Sequence, residues 1–254
     1  MYKILNNLFS DKKGGEIFRC FSAWHFIYIA LAAATFTALF FFLRDKDKRE
    51  KDKAMLTLIN ISFGLYVLDF FLMPFAYGEI DIEKLPFHIC TAMCVMCFLS
   101  NHVERLKSLR LHFALLGFIS NLVYLIYPAG VMWHATHPIS YRVVQTLIFH
   151  GIMSVYGLLT LVYDGKELSF KTCYRDLAII SGMTVWALIG NLLYNGEAGE
   201  YSHFFNWFFV IRDPFYILPA SIAPFIMPLV NIGLFFGVEM LAYLIIMKTK
   251  RESV

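Results

Sequence analysis

The stretch LPFHICTAMCVMCFL, residues 85–99, places one histidine and three cysteines in an otherwise apolar run. Cys90, Cys94 and Cys97 follow the pattern C-x3-C-x2-C, which is the spacing of radical iron–sulfur enzymes. On a helix these residues lie at i, i+4 and i+7, so the outer two sulfurs are about 10 Å apart along the axis. Three thiolates that bind one cluster must converge on a point, and this stripe does not. Cys94 and Cys97 are therefore interpreted as small residues at a helix–helix contact.

Cys90 differs from the other two cysteines because of its predicted position. Pro86 is a typical first-turn residue, so Cys90 is expected near a helix N-terminus, where the helix dipole and free amides favour a thiolate and stabilise an oxyanion. His150, in another apolar run, is available as a base. A thiol with a histidine base is the minimum requirement for nucleophilic acyl transfer. Residue types alone nevertheless favour the simpler interpretation, a packing cysteine and a hydrogen-bonded core histidine.

His88 and Cys90 are two residues apart, which is about 200° around a regular helix. The two side chains therefore share a zinc ion only if the first turn is irregular. His88 has three other interpretations. It donates a hydrogen bond to one of the reacting groups, it acts as an alternative base, or it begins the helix and forms hydrogen bonds only with the backbone.

Further polar residues lie inside apolar runs, where they are costly and indicate function by default. Counted from the outer ends of their helices, Cys90 lies about 6 Å deep and His150 about 13 Å deep. The outer layer at similar depth also contains Asp69, Asn121 and Asn191. Asp69 and Asn191 either support the reacting groups, by orienting the histidine or binding a carbonyl, or form interhelical hydrogen bonds. Asn121 is counted among the supporting or substrate-binding candidates. Arg212 and Lys84 on the outer rim could hold a phosphate, but snorkelling and interfacial anchoring are the favoured interpretations. Tyr216 completes the supporting or substrate-binding candidates. Five other histidines are expected to be exposed near loops: His102, His112, His134, His137 and His203.

The amino-acid composition indicates whether the helices that carry these residues lie in water or in lipid. The chain has 254 residues, of which 59% are hydrophobic and 16% charged, and its mean hydropathy is +0.61. A soluble domain has about 25% charged residues, so the surroundings are a lipid bilayer. The net charge of +3 is too small to suggest nucleic acid. Seven apolar segments predict an all-α, polytopic membrane protein with a seven-helix transmembrane bundle: 23–43, 55–77, 85–101, 109–127, 141–163, 175–195 and 219–247.

The distribution of basic residues predicts the topology. The loops at 44–54, 102–108 and 164–174 with their flanks, and the C-terminal tail, carry fifteen Lys and Arg residues. The opposite loops carry three, so the N-terminus is expected outside and the C-terminus in the cytoplasm. The predicted organisation is an interfacial tail over 1–22, a transmembrane domain over 23–247 and a short cytoplasmic tail over 248–254. The aromatic segment 203–218 is predicted to be interfacial or re-entrant, and Pro219, Pro224 and Pro228 are predicted to kink the last helix.

Four fragments in order carry a resemblance to a known family. They are LPFHIC at 85–90, HG at 150–151, NLLYN at 191–195 and FYILP at 215–219. Over roughly 55–245 the chain resembles the YwaF-type bacterial integral membrane proteins, relatives of vertebrate transmembrane protein 164. That vertebrate relative is an acyltransferase that moves fatty acyl chains between glycerophospholipids through a cysteine acyl intermediate. The resemblance implies that Cys90 is the nucleophile, with His150 chosen as its base, in a multi-pass protein of a bacterial plasma membrane.

The first functional hypothesis is a membrane-embedded phospholipid acyltransferase, or a thiol-dependent lipid hydrolase, that uses a cysteine thioester. Its partners would be phospholipids and lysophospholipids, without a cofactor or metal ion and without nucleic acid. The alternative is a small-molecule transporter or receptor with a polar pocket in the outer leaflet, which would tolerate replacement of Cys90. A metal site at His88 and Cys90 ranks last. The residues leave the lipid headgroup, the acyl acceptor and the oligomeric state open.

Overall fold

The computed structural model describes residues 16–77, 82–132, 136–194, 206–213 and 217–252. Within these ranges seven long helices form the fold, and the prediction of an all-α protein is confirmed. Shorter helical turns lie at Ile82–Lys84, Glu104–Leu109, Ala129–Met132, Gly165–Glu167, Phe170–Thr172 and Trp207–Phe209. The long helices are α1 (Ala23–Leu43), α2 (Lys48–Tyr77), α3 (Ile89–His102), α4 (Arg110–Ile126), α5 (Tyr141–Asp164), α6 (Cys173–Tyr194) and α7 (Ala223–Glu252).

Six of these helical segments are long and apolar enough to cross a membrane, which makes the chain an integral multi-pass membrane protein. Helix α3 is the exception. Its 14 residues extend only about 21 Å, less than the ~30 Å of a hydrocarbon core. The predicted segment began at residue 85, but Phe87 N donates to Leu85 O at 2.7 Å in a turn before the helix. The helix therefore starts four residues later than the apolar run.

The predicted polar loop over residues 44–53 is shorter than expected, because α2 begins at Lys48. Asp47 Oδ1 accepts a hydrogen bond from Glu50 N at 2.8 Å and so caps the first turn. Lysine, arginine and glutamate are good helix formers, and Lys48 pairs with Asp52 at 3.8 Å across one turn. At the other end of the chain, α7 begins at Ala223, after Pro219, and encloses Pro228.

The chain divides into two compact units. The first consists of residues up to 81 and residues 120–163, and its core includes Phe18, Tyr28 and Leu147. His25 accepts a hydrogen bond from Phe21 N at its Nδ1 atom, 2.9 Å away, so its Nε2–H donates to Leu125 O at 2.8 Å. This buried histidine satisfies a carbonyl in the last turn of α4.

The second unit consists of residues 82–119 and 164–254. In it α6 packs against α7, and both contact the Trp207–Phe209 turn. Phe208 and Phe209 have φ values of 57° and 51°, in the left-handed region that non-glycine residues rarely adopt. Asn231 of α7 donates to Phe208 O at 2.6 Å and to Phe209 O at 3.2 Å, which holds this strained turn. The described residues 206–213 thus form a tethered turn, not a further spanning helix.

Candidate functional site

Cys90 is the second residue of α3 and lies in the second unit. His88 is the N-cap residue, with an extended backbone, and the first hydrogen bond of the helix joins Ala92 N to His88 O at 2.9 Å. Pro86 lies in the preceding turn, so Cys90 is nearer the helix start than the sequence indicates. The backbone N–H groups of Cys90 and Thr91 belong to the first turn of the helix, and they favour the thiolate form of Cys90. The expected placement of this thiol at a helix N-terminus is confirmed.

The surroundings of the Cys90 sulfur have two opposing effects on the ionisation of its thiol. The two amides, the helix dipole and the nearby Lys84 ammonium all favour a thiolate. Only 9% of the residue is exposed, and burial favours the neutral thiol. Burial is the largest of these effects, so the Cys90 thiol is neutral and needs a base to become a nucleophile.

An aromatic cluster fixes the chain just before Cys90. The Phe87 ring lies 5.0 Å from the Trp186 ring and 5.0 Å from the Trp207 ring, measured between centroids. Trp186 Nε1 donates to Pro86 O at 2.7 Å. A Cβ atom on Gly190 would lie 2.4 Å from two atoms of the Phe87 ring, so this approach of α6 requires glycine. The entry to α3 is therefore positioned by α6 and the Trp207 turn.

His88 presents a neutral ring beside this entry. Its carbonyl accepts hydrogen bonds from Ala92 N and from Thr91 Oγ1, the latter at 3.0 Å, whereas its ring does not cap the helix. Burial and the Lys84 ammonium lower the pKa of His88 from 6.5 to about 4. At neutral pH the ring therefore carries no charge and can accept a proton only weakly.

His150 lies in α5 within the first unit, where 4% of it is exposed. Its Nδ1 atom is 2.7 Å from Asn121 Oδ1. Because an amide oxygen only accepts, Nδ1 carries the proton and Nε2 keeps its lone pair. The Tyr124 ring stacks on the imidazole at 3.8 Å between centroids and fixes its plane. The Asn121 hydrogen bond thus fixes the tautomer of His150 in which Nδ1 carries the proton, which is the tautomer that a general base acting through Nε2 needs.

The other predicted residues have different settings. Asn191 donates to Trp207 O at 3.1 Å and accepts from Trp207 N at 3.2 Å, so its amide tethers the Trp207 turn. Arg212 belongs to that turn, whose backbone is bound by the Asn206 side chain. Asp69 is buried in α2 of the first unit, with 2% exposed. Tyr216 lies outside the described residues.

The expectation that His112 is exposed is wrong. It is 4% exposed in α4, and its Nδ1 atom lies 2.7 Å from Asp176 Oδ1 in α6. Tyr243 of α7 donates its hydroxyl to Asp176 Oδ2 at 2.6 Å. The signal was present in the sequence, because His112 and Asp176 lie within predicted apolar segments, where ionisable residues indicate function.

Metal coordination finds no support in the part of the chain that the structure describes. There, no group of three or more His, Cys, Asp or Glu side chains is arranged to hold a metal ion.

Six membrane-spanning segments and buried polar groups on several helices define a polytopic α-helical membrane protein. Comparison with known families matches residues 20–248 to the TMEM164 family. The chain belongs to this family, and the resemblance drawn from the four sequence fragments is confirmed. No curated protein and no solved structure matches the chain.

Proposed function

We propose that this protein is a membrane-embedded phospholipid acyltransferase that carries the acyl group as a thioester on Cys90. The setting of Cys90 is the observation that carries the proposal. The thiol is buried at a helix start, where the first backbone N–H groups and the helix dipole favour negative charge and the Lys84 ammonium is nearby. The same amides suit the oxyanion that forms when a thiolate attacks an ester.

The reaction divides into two balanced steps. A base takes the Cys90 proton, the sulfur attacks an ester carbonyl of a phospholipid, and the C–O bond breaks. The base returns the proton to the departing alkoxide, which leaves as a lysophospholipid. In the second step the hydroxyl of an acceptor lysophospholipid attacks the thioester, the C–S bond breaks, and the sulfur regains a proton. Water in place of the acceptor gives a free fatty acid, which is the hydrolase variant.

The proposal assigns the base to His150. This choice follows the family resemblance, and the Asn121 hydrogen bond supports it because it places the proton on Nδ1 and makes Nε2 the nitrogen that accepts a proton. His88, in the same unit as Cys90, is the alternative, but its low pKa makes it a weak base at neutral pH. We expect His150→Ala to reduce turnover by roughly 10²–10⁴-fold, the usual contribution of a general base. We expect His88→Ala to reduce it by less than about tenfold.

The test is an acyl-transfer assay in proteoliposomes. Purified protein is reconstituted with a phospholipid labelled isotopically in its acyl chains and an unlabelled lysophospholipid, and products are resolved by mass spectrometry. Labelled acyl chains on the acceptor support the proposal if Cys90→Ser abolishes them. Cys94→Ser is the matched control, because Cys94 is buried one turn further along the same helix. Equal transfer by wild type and Cys90→Ser would contradict the proposal. Wild-type vesicles that accumulate a solute without acyl exchange would favour the transporter alternative.

A further inference from the structure

A second group of ionisable side chains lies within the second unit, away from Cys90. His112 of α4, Asp176 of α6, and Glu239 and Tyr243 of α7 have between 0% and 4% of their surface exposed. Asp176 connects three of them, since its two carboxylate oxygens accept from His112 and Tyr243 at 2.7 and 2.6 Å. Along α6, Asp176 is fifteen residues before Asn191, about 22 Å from the level of the Trp207 turn. This group is therefore separate from the Cys90 site.

Glu239 is the unusual member. It is completely buried, and neither carboxylate oxygen has a hydrogen-bond partner among the residues that the structure describes. Its nearest ionisable neighbours are Asp176 and, one turn along α7, Tyr243. A charged carboxylate without donors in such a place is among the most costly arrangements in a protein.

The charges and hydrogen bonds of these four side chains indicate which species the group binds. The hydrogen bonds from His112 and Tyr243 satisfy the Asp176 carboxylate. Glu239 has no such donors, and a second negative charge beside Asp176 is repelled. A metal ion or a lipid ammonium needs accessible space and several ligands, whereas a proton needs neither. We propose that Glu239 and Asp176 form a proton-binding site in which one proton is held, principally on Glu239.

In the part of the chain that the structure describes, no cationic side chain forms a hydrogen bond with the Glu239 carboxylate. From α6 the facing group is Asp176, which is itself bound to His112 of α4. The Gly165–Glu167 turn also packs against α7, but the side chains of Lys166 and Glu167 are exposed. The Trp207–Phe209 turn has no titratable side chain. Loss of the proton therefore places two adjacent carboxylates between α6 and α7 and weakens the packing of these helices.

The test is infrared spectroscopy of the purified full-length protein at neutral pH. A protonated carboxyl has a C=O stretching band distinct from carboxylate bands, and the proposal expects this band in the wild-type spectrum. Subtraction of the Glu239→Gln spectrum should isolate the band. Glu104→Gln is the control, because Glu104 is exposed and its replacement should remove carboxylate bands only. A Glu239 difference spectrum that contains carboxylate bands alone would overturn the proposal.

Two further measurements support the test, and the first of them is independent of how the variant folds. In wild-type protein labelled with ¹³C in the glutamate carboxyl, the band of the protonated carboxyl should shift. A band that does not shift would place the proton on a group other than glutamate and would contradict the proposal. Glutamine resembles a neutral carboxyl, so Glu239→Gln should keep the wild-type melting temperature at neutral pH. It should also lose less stability than wild type as the pH is raised. A large loss of stability in Glu239→Gln at neutral pH would show that the charged form is the native one.

Discussion

The contact between Gly190 and Phe87 gives the sharpest structural prediction, because one added methyl group has no space. In Gly190→Ala the new Cβ would lie 2.4 Å from Phe87 Cγ and Cδ1 and 2.9 Å from Cδ2. Phe87 cannot withdraw easily, since its ring also contacts Trp186 and Trp207 at 5.0 Å. We therefore expect the entry to α3 to move, and Cys90, three residues after Phe87, to move with it.

The magnitude follows from the cost of overpacking. An added methyl group in a tightly packed site costs about 1–3 kcal/mol. At about 2–4 °C of melting temperature per kcal/mol for a chain of this size, Gly190→Ala should melt about 2–12 °C below wild type. Tryptophan fluorescence in detergent suits the measurement, since Trp186 and Trp207 both report on the cluster. Acyl transfer, if it depends on the position of Cys90, should fall further than the stability loss alone explains.

Gly182→Ala is the matched control, because Gly182 lies in the same helix and no atom lies within 4 Å of the position that an added Cβ would take. It should be neutral or slightly stabilising, since alanine is the better helix former. A second variant, Gly190→Ala combined with Phe87→Leu, should recover part of the lost stability if the clash is the cause. Equal melting temperatures for Gly190→Ala and Gly182→Ala would refute the reasoning.

Three further predictions concern other contacts. Asn121→Ala leaves the buried His150 Nδ1–H without its acceptor, so the free energy of unfolding should fall by about 1–3 kcal/mol; a change under about 0.5 kcal/mol would count against the role of Asn121. Asn191→Leu removes both hydrogen bonds to Trp207, so limited proteolysis should cleave the turn at 206–213 faster than in wild type, and an unchanged rate would contradict the tether. His88 has a folded-state pKa of about 4, below its ordinary 6.5, so the folded state binds fewer protons than the unfolded state. Wild-type stability should therefore decline as the pH falls from about 6.5 towards 4, and His88→Gln should show a smaller decline; parallel curves would refute this.

The helices could be predicted from the sequence because the length of each apolar run is set by the bilayer. Their ends depended on local chemistry that a hydropathy pattern does not contain. The charged residues after Lys48 are helical because they are good helix formers behind an Asp47 cap, although a charge run is more often a loop. Helix α3 is short because Phe87 packs on Gly190, a contact between residues far apart in the chain.

The candidate site was predictable to a similar degree. The position of Cys90 near a helix start followed from Pro86 and the apolar run, although the helix begins later than Pro86 suggests. Helical rise placed Asn121 and His150 at one depth, and they are in contact; depth alone did not distinguish Asn121 from the other polar residues of the layer. His112 is close to a loop in the sequence, but its place inside an apolar segment determines its burial.

The central claim is that Cys90 forms an acyl thioester, and intact-protein mass spectrometry tests it most directly. Purified protein is incubated with mixed phospholipids, beside Cys90→Ala and Cys94→Ala controls, before and after hydroxylamine. A mass increase of one fatty acyl group is predicted, sensitive to hydroxylamine, present in wild type and Cys94→Ala and absent in Cys90→Ala. The same increase in Cys90→Ala, or acyl transfer that continues undiminished in that variant, would contradict the claim.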